Sequence, residues 1–111
     1  MQKEGKEMPR YKGNFDHLEW QSSLPGARFK AFQQGTLKLR LVEFAKGFAA
    51  PEWCTKGHVG YVLEGQADVD FDGEIIRFST GDGVFVPEGE ENKHKVTVLS
   101  EVVRLILVED A

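Results

Sequence analysis

The sequence holds a single cysteine, Cys54, so no disulfide can form within one chain. A lone thiol is the cysteine usage of a reducing compartment, and the cytoplasm is the expected location. Long apolar runs are missing too. The longest uninterrupted one is Leu105 to Val108, far short of the ~20 residues that a membrane helix needs. The first residues carry no apolar core of the kind found in a secretion signal, so neither a membrane span nor export is expected. A basic excess is also absent: 14 Lys and Arg stand against 18 Asp and Glu, a net charge of −4. Without spare cations to neutralise phosphates, no nucleic-acid partner is expected. Nor is there sustained helical periodicity, an internal repeat or a low-complexity run.

What is present is an ordinary globular composition, 41% hydrophobic and 29% charged, over 111 residues. That length suits one domain and leaves no room for a second core. Residues 1–14 mix Lys, Glu, Gly and Pro with few large apolar side chains and are expected to form a mobile N-terminal arm. Residues 15–111 are expected to form the domain. Phe15, Leu18 and Trp20 give an apolar stretch without a clear period, either a short helical turn or a strand at a sheet edge.

From Phe29 onward the pattern is β. Leu37, Leu39 and Leu41 alternate with Lys38, Arg40 and Val42. Ala67, Val69 and Phe71 alternate with Asp68, Asp70 and Asp72, a strand with one wet and one buried face. Asp72-Gly73 is a hairpin signal, because both central residues of a type I′ turn need positive φ. Glu74 to Phe78 is the return strand. Val84 to Val86 stops at Pro87, and Lys95 to Leu99 and Val102 to Val108 follow as strands. The last is nearly all apolar and is expected to be covered on both sides. Many short strands with turns between them point to a sandwich or a barrel.

Two motifs carry a family resemblance. Gly60-Tyr61-Val62-Leu63-Glu64-Gly65 resembles the strand that ends the first cupin motif. Gly81-Asp82-Gly83-Val84-Phe85-Val86-Pro87-Glu88-Gly89 resembles the second, with Gly81, Pro87 and Gly89 matching without a gap. The resemblance covers roughly residues 20 to 108. It implies an all-β, single-domain cupin β-barrel of the double-stranded β-helix, or jelly-roll, type, and pairing as a homodimer. The apolar segment around Phe15, Leu18 and Trp20 could then add a strand to a partner's sheet.

The chain departs from the family at its metal ligands. Counting back from Gly65 places His58 where the family has a glutamate. The two histidines before it are replaced by Glu52 and Cys54, or by Pro51 and Trp53 with a longer spacing. The histidine of the second motif falls on Asn92, with His94 two residues on. Glu52, Cys54 and His58 share strand parity, as do Asn92 and His94. Given the family's arrangement, these five residues would line the pocket. His58, His94, Cys54 and Glu52 would then be candidate ligands for a divalent metal, zinc or else iron, nickel or manganese.

Each candidate has a plainer reading. Cysteine is often a small buried hydrophobe. His94 lies between Lys93 and Lys95, as a solvated strand end would. Trp53 and Tyr61 read as core or interface, His17 as surface. The resulting expectation is a barrel that binds a small organic ligand, either with a nonstandard Glu/Cys/His/His metal site or as a metal-free binding or structural module. The alternative is a metal-dependent enzyme, an isomerase or a dioxygenase, acting on a sugar or small carboxylic acid; whether chemistry occurs is left open. A metal-free thiol–imidazole pair of Cys54 and His58 ranks below both, because a straight strand would hold them roughly 13 Å apart.

Overall fold

The computed structural model describes residues 11–111. The expected arm therefore falls largely outside the described residues. Asn14, its last member, caps a 3-10 turn at Phe15–His17 by accepting from the Asp16 amide at 3.1 Å. Nine strands follow: β1 Gln21–Leu24, β2 Ala27–Gln34, β3 Leu37–Ala45, β4 His58–Glu64, β5 Gln66–Phe71, β6 Glu74–Ser79, β7 Gly83–Val86, β8 Lys95–Val98 and β9 Val102–Asp110. A further 3-10 turn, Glu90–Asn92, lies between β7 and β8.

All pairings are antiparallel and form two sheets. The larger has the order β1-β2-β3-β9-β4-β7 and the smaller β6-β5-β8. The expected jelly-roll barrel is thus what the chain forms. The Asp72-Gly73 hairpin joins β5 to β6 as read, with φ of 58° and 108°. Gly65, at φ 99°, turns the chain from one sheet to the other. A Cβ there would collide with the Val102 carbonyl, so the corner admits glycine alone without distortion.

Period-two alternation sorts the side chains. Val42 and Phe44 of β3, Val62 of β4, Val84 and Val86 of β7 and Val103, Leu105 and Leu107 of β9 face the interior. Ala67 of β5 and Val98 of β8 are buried on the opposite wall, with Phe44, Phe48 and Leu105 packed nearby. No large side chain among the described residues is completely buried. The centre is instead a cavity of about 630 Å³.

The outer face of the larger sheet corrects one expectation. β9 is not covered on both sides: Val108 is 40% exposed. Its cross-strand neighbours Leu39 and Val59 are exposed as well, and Phe85 beyond them is 79% exposed. The described chain has no helical layer to cover this face. Next to the apolar rows runs a ladder of alternating charge, Glu64, Arg104, Glu43 and Arg28, on β4, β9, β3 and β2. Its contacts are 2.5 to 2.6 Å long. Burial works to raise the pKa of Glu43, but the bonds from Arg28 and Arg104 outweigh it and hold the carboxyl below its ordinary range.

The N-terminal apolar segment lies on its own chain. Phe15 meets Phe32 edge-to-face at 5.1 Å, and Trp20 sits beneath Arg28 and Lys30. β1, just after it, is an edge strand.

Candidate functional site

The site is built where the β3–β4 connection crosses from the larger sheet to the smaller. Two isolated antiparallel bridges pin that connection, Ala49 to Thr97 and Cys54 to His94. Cys54 and His94 exchange both backbone hydrogen bonds, at 2.9 and 3.0 Å. Residues 55–57 then turn back, held by the Gly89 amide on the Thr55 carbonyl, and β4 begins at His58. This bend brings Cys54 Sγ to 3.7 Å from His58 Nε2. The separation expected of a straight strand does not apply, because residues 55–57 are not strand.

Cys54, His58 and His94 each present one ligand atom, and these atoms lie within 4.8 Å of one another. The two imidazoles meet edge-on, with centroids 5.2 Å apart. Phe71 tilts against His94 at 5.7 Å. His94, flanked by lysines in sequence, is only 9% exposed. Lys93 and Lys95 leave it by turning outward onto the Trp53 ring.

Both rings are held from behind. His94 Nδ1 lies 3.0 Å from the Asn92 carbonyl. A neutral ring donates its Nδ1–H there, which leaves the Nε2 lone pair free. Burial lowers the pKa of His94, the bond to Asn92 opposes that, and neighbouring His58 lowers it further. His58 Nδ1 is 2.6 Å from Glu109 Oε2. That is ion-pair distance, although Nδ1 is off the line of a well-directed hydrogen bond. The same oxygen accepts from Arg40 Nη2 at 2.6 Å. Burial would raise the pKa of Glu109, but the contacts to His58 and Arg40 outweigh it and hold the carboxyl at about 2. Glu109 is therefore an anion, and a carboxylate backing an imidazole is the outer-shell arrangement typical of metal-bound histidine.

Of the five residues named from sequence, Cys54, His58 and His94 converge. Glu52 lines the cavity but is exposed and stands outside the cluster. Asn92 ends the Glu90–Asn92 turn; its carbonyl serves the site while its side chain is not part of the cavity wall. Trp53 and Tyr61 are both largely exposed and outside the cavity. Sequence reasoning missed Glu109 and Arg40. The available signal was parity, since Glu109 continues the inward row Val103, Leu105, Leu107 and Arg40 the inward row of Val42.

A thiol and two imidazoles fit a zinc-type ion better than one that prefers oxygen ligands. The remaining wall is mainly apolar, with Val62, Phe71, Phe78 and Val86 around the cluster.

Solved structures with this architecture include KdgF from Halomonas sp., 25% identical with a TM-score of 0.73, over 89% of this chain and 94% of that one. An RmlC-like cupin from Shewanella frigidimarina is 22% identical with a TM-score of 0.76, over 92% and 91%. A sugar phosphate isomerase of the cupin superfamily from Silicibacter pomeroyi is 16% identical with a TM-score of 0.74, over 90% and 75%. Among curated proteins none matches this chain. Residues 40–109, well over half the chain, match the family model described as a cupin domain, and the chain therefore belongs to the cupin family.

Proposed function

We propose that this protein is a metal-binding cupin that takes a small organic ligand into its interior cavity beside the metal. The observation that carries the reading is the convergence of Cys54, His58 and His94, with ligand atoms within 4.8 Å and both Nδ1 atoms held by oxygen. Metal-ligating histidines almost always have the second ring nitrogen turned to an oxygen in this way. Three protein ligands also leave a coordination position for a water or a substrate.

Cys54, His58 and His94 would hold the ion, zinc being the best match to their chemistry. When bound it would supply Lewis acidity to an oxygen of the ligand. Glu109 fixes the orientation of His58, and the Asn92 carbonyl fixes that of His94. Glu52 is close enough to the cavity to contact a ligand but is not assigned to the metal.

A second reading, a metal-dependent enzyme, is favoured by the roughly 630 Å³ of space beside the cluster. Within that reading isomerase-type chemistry is better supported than oxygen chemistry. Non-haem iron oxygenases use two histidines and a carboxylate. Here the third ligand is a thiol, and the nearest carboxylate stands behind His58. Among the described residues no helix is long and apolar enough to cross a membrane. A cytoplasmic homodimer, with residues 15–111 as its folded unit, completes the proposal.

Elemental analysis of protein purified without a tag tests the metal, together with thermal shifts on adding zinc, iron, nickel or manganese. Bound metal that is lost in His58→Ala is the expected result. No metal, and no shift with any ion, would sink the reading. Light scattering tests the dimer, and a clean monomer counts against it.

A further inference from the structure

The cavity wall near the Cys54–His58–His94 cluster is richer in cations than the chain as a whole. Lys38, Arg40 and Lys56 line it, against Glu52 and Glu109, in a protein whose net charge is −4. Arg28 also reaches the wall, but its guanidinium is bound to Glu43.

Lys38 and Arg40 are alternate residues of β3 on its inward face, and both line the cavity. Their Cα atoms are therefore roughly 7 Å apart along the strand. Lys38 stands opposite Glu109 in the β3–β9 ladder, and Arg40 opposite Leu107. One oxygen of Glu109 is 2.6 Å from both Arg40 Nη2 and His58 Nδ1, which sets the guanidinium directly beside the proposed metal ligand.

The donors of this pair are not used up. Arg40 Nε is buried and has no hydrogen-bond partner among the described residues. Lys38 makes no ion pair among the described residues. Arg40 Nε is closed off from the cavity, so it is the Lys38 ammonium that is open to an acceptor there. The surrounding Phe29, Val42 and Leu107 make the wall largely apolar, where charge-assisted bonds count for more than in water.

We infer that the ligand is a small organic carboxylate, bound with its carboxylate on Lys38 and Arg40 and another polar group directed to the Cys54–His58–His94 cluster. This rests on the reading of the cavity as a ligand site and not on the metal. The carboxylate pairs with the Lys38 ammonium, and the Arg40 guanidinium is a second cation on the same wall. Glu109 cancels one of the two positive charges, so the remaining balance suits a singly charged carboxylate better than a doubly charged phosphate monoester.

The test uses the full chain and a panel of small carboxylates from lactate to benzoate. Each is compared with its neutral amide and with a phosphate-bearing counterpart, by calorimetry and thermal shift. Carboxylates are expected to bind and the amides not. Lys38→Gln should weaken carboxylate binding at least about tenfold, and Lys38→Arg should restore it. Lys38 is partly exposed and holds no ion pair among the described residues, so the variant is expected to fold as the parent does; circular dichroism checks this. Equal binding of the amides, tightest binding of the phosphates, failure of every carboxylate, or unchanged affinity in folded Lys38→Gln would overturn the inference. Metal content is read on the same samples and is expected to be unchanged in Lys38→Gln. Carboxylate binding through Lys38 in a protein that never holds metal would reject the metal reading and keep this one. Metal without any carboxylate preference would do the reverse.

Discussion

Replacing Glu109 with Gln keeps the size and shape of the side chain and removes its charge. Two contacts are affected, Arg40 Nη2 and His58 Nδ1, each 2.6 Å from the same carboxylate oxygen. The first effect is on stability. The Glu109 side chain is only 4% exposed and that of Arg40 21%, so the guanidinium loses its counter-ion in a place that water reaches poorly. Loss of one charged hydrogen bond costs about 1.5–3 kcal/mol. In a domain of this size each kcal/mol is worth roughly 4–8 °C of melting temperature. The second effect is specific to the site. Without the carboxylate, His58 loses the anion that orients its ring. Changes of this outer-shell kind weaken metal binding about 10–100-fold, or about 1.4–2.7 kcal/mol. The assay is competition for zinc against a chromophoric chelator, run at a temperature where both proteins are folded. A Glu109→Gln protein that is less stable but binds zinc as tightly as the parent would refute the positioning role. It would leave Glu109 as a structural partner of Arg40 only.

Three further outcomes are expected. Cys54→Ser and His94→Ala should each lose bound metal while keeping the far-ultraviolet dichroism of the fold, because neither side chain carries the core. Gly65→Ala should be destabilised by about 2 kcal/mol or more, seen as a lower urea midpoint, since it combines a strained φ with a clash on the Val102 carbonyl. Glu43 has a depressed folded-state pKa, so its contribution is complete above the ordinary value of 4.5 and is lost as pH falls through the lower folded value. Urea midpoints measured from pH 6 downward should therefore fall less steeply in Glu43→Gln than in the parent, and parallel curves would contradict this.

The fold was legible because alternation and corner residues are local. Leu37 to Leu41 and Ala67 to Phe71 show their inward faces directly, and Gly81, Pro87 and Gly89 mark a corner that needs no distant contact to be recognised. The site was legible in part. His58 follows from its fixed distance to Gly65 along one strand. Cys54 was named, but its approach to His58 depends on a bend at residues 55–57 that no period encodes. His94 was masked by Lys93 and Lys95, whose outward turn onto Trp53 is a tertiary choice. Asn92 was placed by counting, and counting does not register that a 3-10 turn gives its carbonyl rather than its amide to the site. Glu109 went unseen because β9 was read as a nearly all-apolar strand ending at Val108, while the strand runs one inward position further.

The bridge between Cys54 and His94 would give a bound ion a mechanical role. His58 belongs to the larger sheet, whereas His94 leads into β8 of the smaller, and Cys54 is tied to His94 by backbone bonds alone. An ion shared by the three would be a clasp that joins His58 of the larger sheet to the Cys54–His94 bridge. The three ligands converge only in the folded chain, so the free energy of binding would add to the free energy of folding. Chelation should accordingly be felt first where His58 meets that bridge, with the His58 amide exchanging ahead of those in the β3–β9 ladder.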